Sequence, residues 1–440
     1  MSENQIEIKE GIKIHLINTD IFKTNLICVM LTVPLKREQV TKNALIPFLL
    51  KRGTNNFPSQ SDISKKLEAM YGASYDCGID KIGDNQALKF YIETIRDDYA
   101  LNKENLLQES INLVLDIIFN PLMEYGMFKE DFLTIEKDNL RKIIESKIDN
   151  KDLYAFNKCI ENMYNNKGFG IYKYGYLEDL EKIDSKIISE HYKKLINEAK
   201  IDIYISGEFD EKSIEKIVIE NQKIKELSPR KENIIVNNLS TECKEKVDSI
   251  RTIQEKMNIN QGKLVIGLDT LNKDVKMRDV GIIFNSILGD GANSMLFQNV
   301  REKAGLAYTA HSTFNKLKNN IFIRCGIEIQ NYDKAVSIIK EQIENIKNGK
   351  FTETDIQNAK NYIISGIRGI EAEQDTEIVF YIGQEISKTR YTVKEYIESI
   401  KSVTKEQIIE FAKNIQINLI YFLTAIEEEN TDNQEYLDED

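Results

Sequence analysis

Apolar and polar positions along this chain fall into a series of runs that occurs twice. In the first half TNLICVMLTVPL is an almost unbroken apolar stretch that predicts a buried strand. Helical spacing over 41–51 and 61–70 follows, then a Gly72-Ala73-Ser74-Tyr75 turn and the strand QALKFYIE. In the second half GKLVIGLD leads to helices over 275–288 and 294–303, the turn Gly305-Leu306-Ala307-Tyr308 and the strand IFIRCGIE. Gly72 and Tyr75 therefore match Gly305 and Tyr308 at a constant offset. Further on, Phe128-Lys129-Glu130 opens a long helical region as Phe351-Thr352-Glu353 does. YGYLEDLEKIDSKIISEHYKKL parallels YTVKEYIESIKSVTKEQIIEFA, with Asp184 and Thr404 as equivalent helix N-caps and Thr404 with Gln407 as a capping box. Each half closes on an alternating strand, KIDIYISG and INLIYFLTA.

This internal repeat predicts an α+β fold of two homologous domains, each a mainly antiparallel sheet with helices packed on one face. We place the domains at 1–225 and 249–426, with a charged, Pro229-bearing linker over 226–248. The segment 427–440 has eight acidic residues of fourteen and is expected to be a disordered tail.

A chain of 440 residues with 41% hydrophobic content can fill two such cores. The net charge of −12 argues against nucleic acid, whose phosphates require a basic face. No stretch is apolar over the roughly 18 residues of a membrane span, and the start of the chain lacks the pattern of a signal peptide. A cytoplasmic location with no membrane partner is expected. Cys28, Cys77, Cys159, Cys243 and Cys325 are scattered and odd in number, which fits free thiols rather than a disulfide framework or a metal knuckle.

The most informative chemistry lies in GDGANSMLFQNVREKAGLAYTAHSTF. Met295, Leu296 and Val300 have near-helical spacing, Gly305 ends that helix, and 306–314 reads as a strand. The turn can bring Arg301 and Tyr308 together, and a guanidinium with a phenol forms a donor pair suited to a peptide carbonyl or the oxyanion derived from it. His311 lies three residues beyond Tyr308 and reads as a surface histidine.

This run closely resembles the second-half signature of the pitrilysin, insulinase and mitochondrial processing peptidase family, in which the Arg and Tyr of REKxGLxY contact substrate. The resemblance implies a first half with an inverted zinc motif, HxxEH, and a later glutamate as third protein ligand. Lys51-Arg52-Gly53-Thr54 resembles the segment that follows the motif, and aligning on it puts Ala44, Pro47 and Phe48 where the family has His, Glu and His. None can bind a metal or polarise a water. Glu136 and Glu145 lie on the later helix, and neither is assigned as a ligand. His15, His191 and His311, the only histidines, are not placed as HxxEH.

The resemblance thus implies a non-zinc subunit of a heterodimeric zinc peptidase: two peptidase-like domains, the first with a degenerate zinc motif and the second with the Arg/Tyr pair. No cofactor is expected on this chain. Zinc is expected in a paralogous, HxxEH-bearing partner, and the substrate is a peptide held in trans by Arg301 and Tyr308. Alone, such a chain is expected to be inactive, and a homodimer in isolation is left open. The alternative is a non-enzymatic peptide-binding or assembly scaffold of the same fold, because sites and not folds confer function.

Overall fold

The computed structural model describes residues 3–230, 246–272, 274 and 276–426. The segment 427–440, expected to be a tail, and most of the 226–248 linker lie outside the described residues, as does Cys243.

The first sheet consists of β1 (Glu3–Lys9), β2 (Ile12–Asn18), β3 (Thr24–Pro34), β4 (Ser74–Ile82), β5 (Asn85–Ile95) and β6 (Lys200–Gly207), in the order β1-β2-β6-β3-β5-β4. The second consists of β7 (Arg251–Met257), β8 (Gly262–Thr270), β9 (Ala307–Asn315), β10 (Asn320–Ile327) and β11 (Ile415–Ala425), in the order β7-β11-β8-β10-β9. Removing β1 leaves two identical topologies. In each sheet one pair is parallel, β2 with β6 and β7 with β11, and the rest are antiparallel.

The helices repeat in the same order. Val40–Leu50 corresponds to Met277–Leu288, Leu106–Phe119 to Tyr332–Lys347, Glu130–Glu145 to Glu353–Arg368, and Ser185–Glu198 to Lys405–Lys413. The side chain of Asp184 accepts from the Ile187 amide, and Thr404 forms a full capping box with Gln407, so both N-caps stand where the sequence places them.

Each sheet carries its own helices on one face. Successive strand residues point to opposite faces: Ile27, Val29 and Leu31 of β3 join the first helical core, while Leu26, Cys28 and Met30 face the other way. That second face is covered from the other half of the chain. Helix Gln374–Ser387 lays Ile378, Tyr381 and Ile382 on it. In return, helix Lys151–Met163 of the first half lays Ala155, Cys159, Ile160 and Met163 on Val265, Phe322, Tyr421 and Leu423 of the second sheet. The unbroken apolar run of β3 now has its reason, because a strand buried on both faces has no polar face to show.

Polar contacts fix these two lent helices. Gln374 donates to the Thr24 carbonyl at 3.0 Å and the Ser206 carbonyl at 3.1 Å. Lys200 pairs with Glu385 at 2.7 Å and Lys13 does so at 2.8 Å. On the opposite side Asp152 pairs with Arg324, and Tyr154 donates to Glu255 at 2.6 Å. The β4–β5 and β9–β10 hairpin turns also meet, through an ion pair between Asp84 and Lys318.

Candidate functional site

The sequence assigns two places to chemistry, one in each half. In the first, helix Val40–Leu50 carries the three positions of the absent zinc motif. Ala44 is fully buried, Pro47 is buried inside the helix, and Phe48 packs against the first core. The neighbouring polar groups are occupied. Asn43 donates to Gln86 at 2.8 Å and accepts from His191 Nε2 at 2.6 Å. Burial, aided by Lys42 and Lys194, pushes the His191 pKa down to about 4, so its imidazole is neutral and serves as a buried donor. Sequence reasoning passed over His191 because a lone helical histidine carries no pattern.

Glu136 projects from Glu130–Glu145 towards this helix and is 4% exposed. It is held by an ion pair with Arg52 and by Asn139 Nδ2 at 2.9 Å. Glu145 is exposed at the helix end. The Cys77 thiol donates to the Pro47 carbonyl at 3.4 Å, and burial pushes that thiol up to about 11, away from the thiolate that metals take. These residues do not fit a zinc ion: two hydrocarbon side chains and a proline stand where lone pairs are needed, and the nearby carboxylate is already paired with a guanidinium. Among the described residues no group of three or more His, Cys, Asp or Glu could hold a metal.

The second-half site has a different character. Met295 and Leu296 start a helix whose continuation, Phe297–Lys303, is π-helical. Such turns are rare and recur at functional sites. Asn299 Nδ2 ties this turn to Gln342 Oε1 of Tyr332–Lys347 at 2.9 Å. Buried Val300 and Leu306 bracket the reversal, with the Leu306 amide on the Val300 carbonyl at 3.1 Å. Gly305 takes φ +63°, a left-handed conformation that glycine adopts without a steric penalty.

Arg301 lies on the outer side of the π-turn, 44% exposed, its guanidinium carbon 4.6 Å from the Phe297 ring centroid and its Nε 3.6 Å from Glu302. Tyr308 is 65% exposed. Thr309 pairs with Gly326 and Ala307 with Ile327, so Tyr308 is an extra residue, a bulge at the start of β9. No hydrogen bond among the described residues joins Arg301 to Tyr308; both stand at the surface with polar ends available. β9 is also an edge strand, with backbone groups open on one side. His311 sits further along it opposite Arg324, half-buried, and burial with the Arg324 charge lowers its pKa.

The other predicted features are simpler. Cys28, Cys77, Cys159 and Cys325 are free thiols. Among the described residues no helix is long and apolar enough to cross a membrane.

Comparison with known proteins bears on this geometry. Residues 182–363 match the family described as "Peptidase M16 inactive domain". Over 429 residues the chain is 30% identical to the "Probable inactive metalloprotease YmfF" of Bacillus subtilis (strain 168), spanning 96% of this chain and 98% of that one. A crystal structure of a conserved protein from Enterococcus faecalis V583 superposes with a TM-score of 0.88 at 26% identity, covering 98% of this chain and all (100%) of that one. A structure titled for the peptidase M16 inactive domain from Pseudomonas fluorescens, 16% identical, shares the fold with a TM-score of 0.76 over 98% of this chain and 100% of that one. With its duplicated sheets and a motif helix stripped of metal ligands, the chain belongs to the peptidase M16 family as a non-catalytic member.

Proposed function

We propose that this chain is the non-zinc subunit of a two-chain M16 peptidase and supplies substrate contacts in trans. Zinc and the general base belong to a partner subunit that carries HxxEH. Arg301 and Tyr308 donate to the substrate carbonyl and steady the charge that develops on it, while the extended peptide adds to the open edge of β9. The supporting observation is the bulge that leaves Tyr308 in solvent at a free sheet edge, just after the turn that carries the exposed Arg301, in a molecule whose own metal positions are filled with hydrocarbon.

A non-enzymatic scaffold is the rival reading. What favours it is the Arg301 guanidinium lying over Phe297, a contact that a purely structural arginine would also make.

Co-expression with an HxxEH-bearing paralogue from the same genome tests the proposal. The isolated chain should leave peptides intact and the mixed pair should cleave them. Arg301→Ala and Tyr308→Phe should each lower turnover about 10²- to 10³-fold while the subunits stay associated. Unchanged cleavage by both variants would leave only the scaffold.

A further inference from the structure

A cavity of about 570 Å³ opens where the two halves meet. It shares no lining residue with the Arg301 and Tyr308 surface or with the helix Val40–Leu50. Rings from both halves line it: Phe156 of the lent helix Lys151–Met163, Phe314 and Phe322 of the β9–β10 hairpin, and Phe380, Tyr391 and Tyr396 from the region 374–402. Its size and aromatic walls are those of a small-molecule pocket.

The polar groups at its wall are unequal. Lys316 donates to the Tyr396 hydroxyl at 2.8 Å, and Asp279 accepts from Ser399. Arg278 is half-buried, and among the described residues it has neither a hydrogen bond nor an ion pair beyond the field of its chain neighbour Asp279. Burial lowers its pKa and Asp279 offsets this only in part. A partly desolvated guanidinium without a carboxylate is an incomplete arrangement, and its planar fork suits a carboxylate geometrically. Asp279 alongside favours a single negative charge over a phosphate dianion.

Gly383 adds an independent observation. It lies inside the helix Gln374–Ser387, where glycine is weaker than alanine, yet a Cβ there would meet nothing within 4 Å. Packing does not require this glycine; what it provides is open space at the cavity wall.

We propose that this cavity binds a small apolar monocarboxylic acid, with the rings enclosing its hydrocarbon body and Arg278 taking its carboxylate. The hydrocarbon could be an alkyl chain or an aromatic ring system, and the test separates them. The full chain is titrated calorimetrically with decanoate and decanol, and with naphthoate and naphthamide. At least one acid should saturate a single site per chain and bind about tenfold or more tightly than its neutral counterpart, as expected for a charge-assisted hydrogen bond. Whichever acid does so identifies the class. Arg278→Gln should reduce that acid to the level of its neutral counterpart, and Arg278→Lys should restore part of the difference. Gly383→Leu should abolish binding while leaving Tm equal or higher, which separates a filled cavity from a misfolded chain. The proposal is overturned if neither acid binds, if acid and neutral compound bind alike, or if Gly383→Leu binds as the parent does.

Discussion

The two edge strands β4 and β9 occupy the same place in the same topology, yet present their equivalent tyrosines in opposite ways. β4 pairs with β5 without interruption from Ser74 opposite Glu93 to Ile82 opposite Asn85. Tyr75 stays in register there, its hydroxyl is buried beside Cys77, and burial drives its pKa well above the ordinary phenol range. β9 carries one additional residue against β10, and that residue is Tyr308, out in solvent. Both tyrosines follow a left-handed glycine, Gly72 at φ +75° and Gly305 at φ +63°. Because strand side chains alternate with period two, one residue of register decides whether a phenol faces the core or solvent. The first half has buried its tyrosine hydroxyl and the second has exposed its tyrosine.

The largest effect concerns whether the halves can be compared as separate bodies at all. Ile378→Ala and Ile160→Ala, one on each lent helix, should each cost about 2–5 kcal/mol in urea denaturation. Each should also strip hydrogen-exchange protection from strands of the opposite half. Loss of protection confined to the mutated half would mean that the lent helices are not integral to the sheets they cover.

Next comes activity in the mixed pair. Tyr308→Phe should reduce turnover about 10²- to 10³-fold, whereas Tyr75→Phe, whose buried hydroxyl lies against the Cys77 thiol, should leave turnover within about twofold and stability within about 1 kcal/mol. Equal effects at the two positions would erase the contrast between closed and open edges.

A smaller effect separates the lent helices themselves. Burial raises the Glu377 carboxyl from the ordinary 4.5 to about 7, opposed only in part by the Ser206 hydroxyl, while Glu371 adds to the rise. Folding therefore favours the protonated form, and stability is expected to fall as pH rises from about 4.5 to about 7 and to level off above that. Glu377→Gln should remove that fall and be the more stable protein at pH ~8, by roughly 1–3 kcal/mol. The other lent helix faces its sheet with an Asp152–Arg324 ion pair instead; Asp152→Asn should therefore leave this pH dependence in place. A fall unaltered by Glu377→Gln would assign it to another group.

The smallest effect is a matched one. Asp184→Ala and Thr404→Ala remove equivalent N-caps, and each should cost about 1 kcal/mol. A marked inequality in thermal denaturation would show that the two capped helices no longer bear equal shares of their domains.

Much of the fold was legible because local patterning carries it. The runs that became β3, β5, β6, β8, β10 and β11 are apolar or alternating enough to read directly, and the constant offset between Gly72 and Gly305 reveals the duplication. The flanking strands β1, β2 and β7 were not read, although IKIHLIN alternates; β2 and β7 reach the rest of their sheets by parallel pairing with the strand that closes each half, β6 or β11, a contact between residues far apart in the chain that no local spacing specifies. At the site, the loss of metal ligands at Ala44, Pro47 and Phe48 is a property of the side chains themselves and is visible without coordinates. The pairing of Glu136 with Arg52 and the burial of His191 against Asn43 join residues far apart in the chain, and no spacing rule anticipates them.

The family resemblance, read residue by residue, located what this molecule lacks, and local periodicity determined how many times its unit is repeated and which arginine and tyrosine stand at the turn. Tertiary structure decided the rest: which half covers which sheet, and whether a tyrosine at the start of an edge strand is buried or presented. The reason is physical. A hydrophobic run specifies that a surface must be covered but not by what, and strand register is settled only when two strands meet.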